Sequence, residues 1–360
     1  MIFVNQEVTI MINEFGKRLK SARKMAGLSM AALAEKSGAV VSKQAISKYE
    51  KGLINPASDV LIALASALGV KVDYFFRPST ISIEGLEFRK KAKMTRKIEN
   101  QIKYQTIDFI QKYLELEGIL NTQTPFENPV TRPLVKTRQD IETAAKEIRD
   151  KWELGQGPVP HLIELLEDKG FKVFEVSDFD YFDGLSGFVS GMDIPVVAVF
   201  KGDDLTRKRF TIAHELGHLL LDFSQAEEKN IEKLCHTFAG ALLIPEAVMK
   251  KELGVQRSKI TLWELKKLKG IFGISIQAIM ARAANLSIIS PNTYKSFCIY
   301  ARKSGLHREE PGEYKGKEVA NRFKQLVYHG AAEQAISFSK AAEFLNMSAA
   351  QFDDEVFFVS

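Results

Sequence analysis

The run Arg209–Phe223, RFTIAHELGHLLLDF, constrains this chain more than any other stretch. It has a continuous apolar flank and no helix breaker except Gly217, so its length and pattern predict a buried helix. His214 and His218 are four residues apart and stand on one face, one turn from each other. Two imidazole nitrogens so placed can reach a single zinc ion. Glu215 follows His214 and is positioned to act as general base on water at such a metal. Buried imidazoles need polar partners, which argues against a pair kept only for packing.

A catalytic zinc takes three protein ligands and one open position. The candidates downstream are Asp222, Glu227, Glu228, Glu232 and His236. Asp222 shares the first helix but lies more than a turn beyond His218, too far to share the ion. Glu232 and His236 are spaced i, i+4 on a second apolar-striped stretch, IEKLCHTFAGALLIP (231–245). A turn over Ser224–Lys229 would fold that helix back onto the first. Spacing alone leaves Glu232 and His236 both open.

The rest of the chain must explain a basic end. Residues 1–110 hold 18 Lys and Arg against 10 Asp and Glu, while the remainder holds 32 against 35. An excess confined to one end is what a domain that meets phosphates requires. Within that end, LSMAALAEKSG (28–38) and VSKQAISKYEKG (41–52) read as two short helices around a turn at Gly38. Ser29 and Ser42 can cap them. The second would expose Lys43, Gln44, Ser47 and Lys48, with Ala45, Ile46 and Tyr49 holding it down. In a helix-turn-helix the start of this helix, from Ser42, meets the major groove, where Gln suits adenine and Lys suits guanine or phosphate.

Phe15–Phe76 resembles the Xre/phage-repressor helix-turn-helix family, in FGKRLKSARKMAGLS, QAISKYEKG and LASALGVKVDYFF. The resemblance implies an all-α, five-helix domain and a double-stranded DNA operator as partner. Paired half-sites would suit a homodimer. Met30 stands where the family usually has a phosphate-contacting Gln, and GAVVS adds length before Ser42.

A chain of 360 residues with 45% apolar and 26% charged content suggests two or three globular domains. Two cysteines cannot build a disulfide framework. No apolar run is long enough to span a bilayer, and the start lacks a signal peptide's pattern, so no membrane partner and a cytoplasmic location are expected. A charged stretch runs from Ile81 to about Lys97, then an amphipathic helix, then a proline-containing linker over Asn121–Pro133. FKVFEV (171–176), LSGFVS (185–190) and PVVAVF (195–200) read as strands, the last two as an antiparallel hairpin turning at Ser190–Asp193. Helices are expected over 205–222, 228–243, 259–269 and 275–287. From Pro291 onward the chain reads as mostly helical; SKAAEFLNMSAAQF resembles half of a helix-turn-helix but suits a plain helical subdomain better.

Residues 140–250 resemble the ImmA/IrrE metallopeptidase family, through DGLSGFV, RKRFTIAHELGHLLL and IEKLCHTFAGALLIP. FRKKAKMTRKIENQIKY and IRDKWELGQGPV resemble the variant that fuses an Xre domain to the peptidase. The resemblance implies Glu232 as third zinc ligand beside His214 and His218, with His236 at a position usually Asn. It also implies a protein substrate, such as a partner repressor or the chain's own Xre domain, cleaved to switch gene expression. The expected fold is α+β and mainly helical: helix-turn-helix 13–77, helical linker 78–135, zincin-like peptidase with a small antiparallel sheet 136–253, and a helical C-terminal region 254–360. The hairpin 185–200 is expected to offer an edge strand to an extended peptide, with Leu185, Phe188 and Val196 as subsite candidates and Tyr181 or His236 as transition-state donors. The alternative is a DNA-binding regulator, or an antitoxin, whose peptidase fold only senses or scaffolds; a third reading makes the zinc purely structural.

Overall fold

Ser29 and Ser42 begin the two central N-terminal helices in the same way. Each has extended backbone, and its Oγ accepts an N–H three residues on, from Ala32 at 3.0 Å and from Ala45 at 3.1 Å. That satisfies a donor the first helical turn leaves open. The structure, a computed structural model, describes residues 2–77, 81–90, 94–131, 134–179 and 182–356. It forms two compact units, Met1–Ile83 with Ala92–Glu115, and Glu84–Lys91 with Leu116–Ser360.

The first unit holds α1 (Ile2–Met25), α2 (Met30–Lys36), α3 (Lys43–Glu50), α4 (Ser58–Leu68) and a 3-10 turn at Val72–Phe76. The fifth expected helix is that turn. It ends at Arg77, which is extended, as the residue before a proline prefers. The extra length before Ser42 is absorbed by two consecutive left-handed residues, Gly38 and Ala39, after which Val41 enters the core. Leu19, Leu33, Ile46, Leu64 and Phe75 are fully buried there. Arg23 bridges to Glu50 with two bonds of 2.5 and 2.7 Å and also donates to the Leu28 carbonyl. The pair is buried, so removing one partner would cost about 3–5 kcal/mol.

β1 (Ile83–Lys90) falls in the second unit from Glu84 on, α5 (Arg96–Leu120) in the first up to Glu115, and the second unit then continues with α6 (Arg138–Lys151), α7 (Leu162–Asp168), β2 (Lys172–Val176), β3 (Phe182–Val189) and β4 (Pro195–Phe200). It then runs through α8 (Leu205–Leu220), α9 (Glu228–Leu243), α10 (Glu246–Leu253), α11 (Leu262–Phe272) and α12 (Ile276–Asn285). The last helices are α13 (Pro291–Lys303), α14 (Arg322–Ala332), α15 (Phe338–Phe344) and α16 (Ala349–Glu355). The fold is α+β and mainly helical.

The sheet has four strands in the order β1-β3-β4-β2. The expected hairpin is present: β3 and β4 are antiparallel, with Leu185 opposite Ala198, and Val189 N–H bonds the Ile194 carbonyl across the turn. β2 skips its sequence neighbour and joins β4 in parallel, so the sheet is mixed rather than antiparallel. Among the described residues the hairpin offers no free edge. β4 lies between β3 and β2, and β1 covers the other side of β3. Leu185 and Val196, expected as subsite candidates, are fully buried core; Phe188 is half-buried and packs against the same core.

α8 packs on β3 and on α9. A Cβ at Gly217 would meet Cys235 Sγ and Phe238 Cδ1, both at 3.2 Å, so a glycine here lets the two helices close to near contact. Farther along the chain, Glu318 is fully buried and caps α7 by accepting the N–H groups of Leu162 and Ile163 at 3.1 and 2.9 Å. The same carboxylate pairs with Arg209, itself fully buried and donating to the carbonyls of Val159, Phe272 and Gly273. This fixes the start of α8 to α7 and to the end of α11.

Candidate functional site

Residues 214 and 218 stand one turn apart on α8, and their Nε2 atoms are 3.1 Å from each other. α9, held close at Gly217, carries Glu232 opposite them. One carboxylate oxygen lies 3.3 Å from His214 Nε2, the other 3.3 Å from His218 Nε2. Zinc bonds of about 2.0–2.1 Å at tetrahedral angles set ligand atoms roughly 3.3–3.4 Å apart. The three side chains meet at distances that would fit one shared metal ion, and two imidazoles with one carboxylate are a donor set that suits zinc. The histidines, His214 first, hold the Glu232 carboxyl well below the usual carboxylate range.

His236 is close but differently engaged. Its Nδ1 lies 2.6 Å from the backbone carbonyl of Glu232. A carbonyl only accepts, so Nδ1 carries the proton. The ring sits 4.5 Å from His214 between centroids and stacks on Phe210 at 5.9 Å. Ligand atoms of His214, Glu232 and His236 also lie within 4.8 Å of one another, so this trio too could hold a metal ion. His214, His218 and Glu232 thus offer a candidate metal face, with His236 beside it. Tyr181, the other expected donor, lies outside the described residues. Asp222 bonds the Ser224 N–H at 2.8 Å, and its neighbour Leu134 forms an isolated bridge to it.

Glu215 is buried and turns toward β3. Its Oε2 accepts the Ser186 hydroxyl at 2.6 Å. A Cβ at Gly184 would lie 3.1 Å from Glu215 Oε1 and 2.7 Å from Thr211 Cγ2. Sequence reasoning missed Ser186; the run DGLSGFV that contains it carried part of the family resemblance. A cleft of about 1270 Å3 opens beside the metal face, lined by Glu232, His236, Phe210, Arg207 and Tyr294 among others. His214 and Glu215 are buried and do not line it.

On α3, Ser42, Lys43, Gln44 and Lys48 are exposed and Ser47 is half-buried, while Ile46 and Tyr49 face the core. The expected polar face thus points outward. Among the described residues no helix is long and apolar enough to cross a membrane.

Residues 19–75 match the family model described as Helix-turn-helix, and residues 167–284 match a peptidase-family model described as IrrE N-terminal-like domain. No curated protein matches the chain. Among solved structures, the crystal structure of Bacillus thuringiensis PlcR in complex with the peptide PapR7 and DNA covers 95% of this chain and 97% of that chain. The identity is 13% and the TM-score 0.17, an overlap too slight to bear on fold or function.

Proposed function

We propose, from a chain that joins a helix-turn-helix domain to an IrrE-like peptidase-family domain, that it is a DNA-binding regulator with a zinc-dependent endopeptidase site. The observation that carries the reading is the meeting of His214, His218 and Glu232 at 3.1–3.3 Å, next to Glu215.

His214, His218 and Glu232 would hold the metal. When bound, zinc supplies Lewis acidity that polarises a carbonyl and makes water easier to deprotonate. Glu215 takes the proton from the attacking water and passes it to the leaving amine. Ser186 holds Glu215 in place from β3. His236 holds its Nδ1–H on the Glu232 carbonyl, so it stabilises a developing oxyanion only as an imidazolium carrying a second proton on Nε2. The substrate is a regulatory protein, a repressor being the favoured case, and its loss changes transcription. On the DNA side, Lys43, Gln44, Ser47 and Lys48 meet the operator, with Ser42 starting the helix. The protein acts in the cytoplasm, and a homodimer would read paired half-sites.

The test is a proteome-derived peptide library treated with the zinc-loaded chain and with Glu215→Gln. New termini are expected only with the former, while both bind zinc equally. Cleavage that persists with Glu215→Gln, or none with either, removes the hydrolase reading and leaves a regulator with a sensing or scaffolding domain.

A further inference from the structure

The hydrogen-bonding edge that a peptide would need at this site is already taken by the chain itself. β3 is the strand in contact with the general-base candidate, through Gly184 and Ser186. An extended peptide that reaches Glu215 by adding a strand to this sheet must bond β3, because β4 is internal and β2 lies two strands away. The outer neighbour of β3 is β1, Ile83–Lys90.

We infer that residues 84–90 are an internal stand-in for the peptide substrate, and that substrate docks on β3 by exchanging with them. The inference rests on the peptidase reading for its consequence, cleavage, but not for its binding step.

β1 is built to leave. Among the described residues it has one strand neighbour, whereas β3 has two. Gly85, within it, has φ +64, and an added Cβ there would meet nothing within 4 Å. A left-handed glycine inside a strand marks an irregular ladder and weakens it. By contrast β3 and β4 pair over five residues with almost every position buried. The pairing of β1 also closes a long loop, since nearly a hundred residues separate it from β3, and that closure costs entropy that local pairing avoids. As sequence, β1 reads IEGLEFRK, with Leu86 and Phe88 two apart and Arg89 and Lys90 following. Strand addition reads alternate side chains. The substrate class is therefore an extended segment with large apolar residues two apart, followed by basic ones.

The probe is a fluorescent peptide of residues 81–94, added to the zinc-loaded full chain carrying Glu215→Gln so that nothing is cut. Leu86→Pro with Glu87→Pro removes adjacent strand N–H groups, so one facing β3 is lost whichever way the strand is phased. The chain with this pair is expected to bind the peptide at least about ten-fold tighter than the chain without it, a difference of ~1.4 kcal/mol. A peptide bearing the same two prolines is expected not to bind. Equal affinity for both chains, or no binding to the opened chain, overturns the inference. Hydrogen exchange guards against a misfolded variant. In the chain with β1 unaltered, the alternate amides of 84–90 that face β3 are expected to be protected, and excess peptide to expose them while β3 stays protected. Amides facing β3 that exchange freely without peptide, or that ignore saturating peptide, overturn it equally. Repeating the experiment with Glu215 restored separates the two readings. Tight binding without cleavage leaves strand exchange standing and removes hydrolysis. Cleavage at the same rate with and without the prolines removes strand exchange and leaves hydrolysis.

Discussion

Ser186 donates its hydroxyl proton to Glu215 across 2.6 Å, from the middle of β3 to the buried face of α8. The bond joins the sheet to the side chain that the mechanism asks to move a proton. A base held this way keeps one orientation, and orientation is what a proton transfer needs.

Ser186→Ala is expected to lower kcat by about ten-fold, ~1.4 kcal/mol, the scale of one buried hydrogen bond. KM and zinc content should stay unchanged, because the hydroxyl touches neither the metal face nor the cleft. Steady-state kinetics on the best peptide from the library checks this. A KM that rises with kcat unchanged would place Ser186 in substrate binding instead.

Glu232→Ala is expected to take bound zinc from about one per chain to near none, since two imidazoles make a poor site alone. The fold should persist, because the α8–α9 contact is carried by Gly217, Cys235 and Phe238 rather than by the exposed Glu232. Metal analysis and thermal unfolding on the same sample check both halves. Unfolding of the metal-free variant at ordinary temperature would show the ion to be structural.

On α3, Gln44→Ala is expected to cost about 1–3 kcal/mol on the preferred operator and to relax specificity at one base pair. Lys48→Ala should weaken all DNA sequences alike and reduce the salt slope by about one. Binding titrations over a salt series separate the two. Equal losses on every sequence from both variants would mean that α3 does not read bases.

The two histidines were legible because their spacing is a property of one helix, and the same holds for the serine caps and the polar face of α3. Glu232 was not, since i, i+4 spacing offers His236 equally and only the family resemblance chose between them. Ser186, Glu318 and β1 left no local trace. Glu318 caps α7 from over 150 residues away, and its sequence neighbourhood shows only a charged, glycine-containing stretch. β1 is too charged to read as a strand, and its partner lies far along the chain. The edge strand expected of the hairpin failed for that reason: an edge is a property of the whole sheet, and the strand that covers it came from another part of the sequence.

Glu167 gives the second unit a dependence on pH. It is buried in α7, and burial pushes its carboxyl up to about 7, against the opposing pull of backbone N–H groups at Arg322 and Asn321. The folded value lies above the unfolded one near 4.5, so between them the folded chain holds a proton the unfolded chain has lost. Stability from this group is thus complete below about 4.5 and disappears as pH rises through about 7. At 1.36 kcal/mol for each pKa unit the loss is about 2–3 kcal/mol between pH 5 and pH 8. Glu167→Gln keeps the shape without the charge and is expected to flatten that slope and to gain stability at pH 8. Both tryptophans, Trp152 and Trp263, lie in the second unit, so fluorescence-detected urea unfolding reads this unit alone. A slope that survives Glu167→Gln would place the titrating group elsewhere.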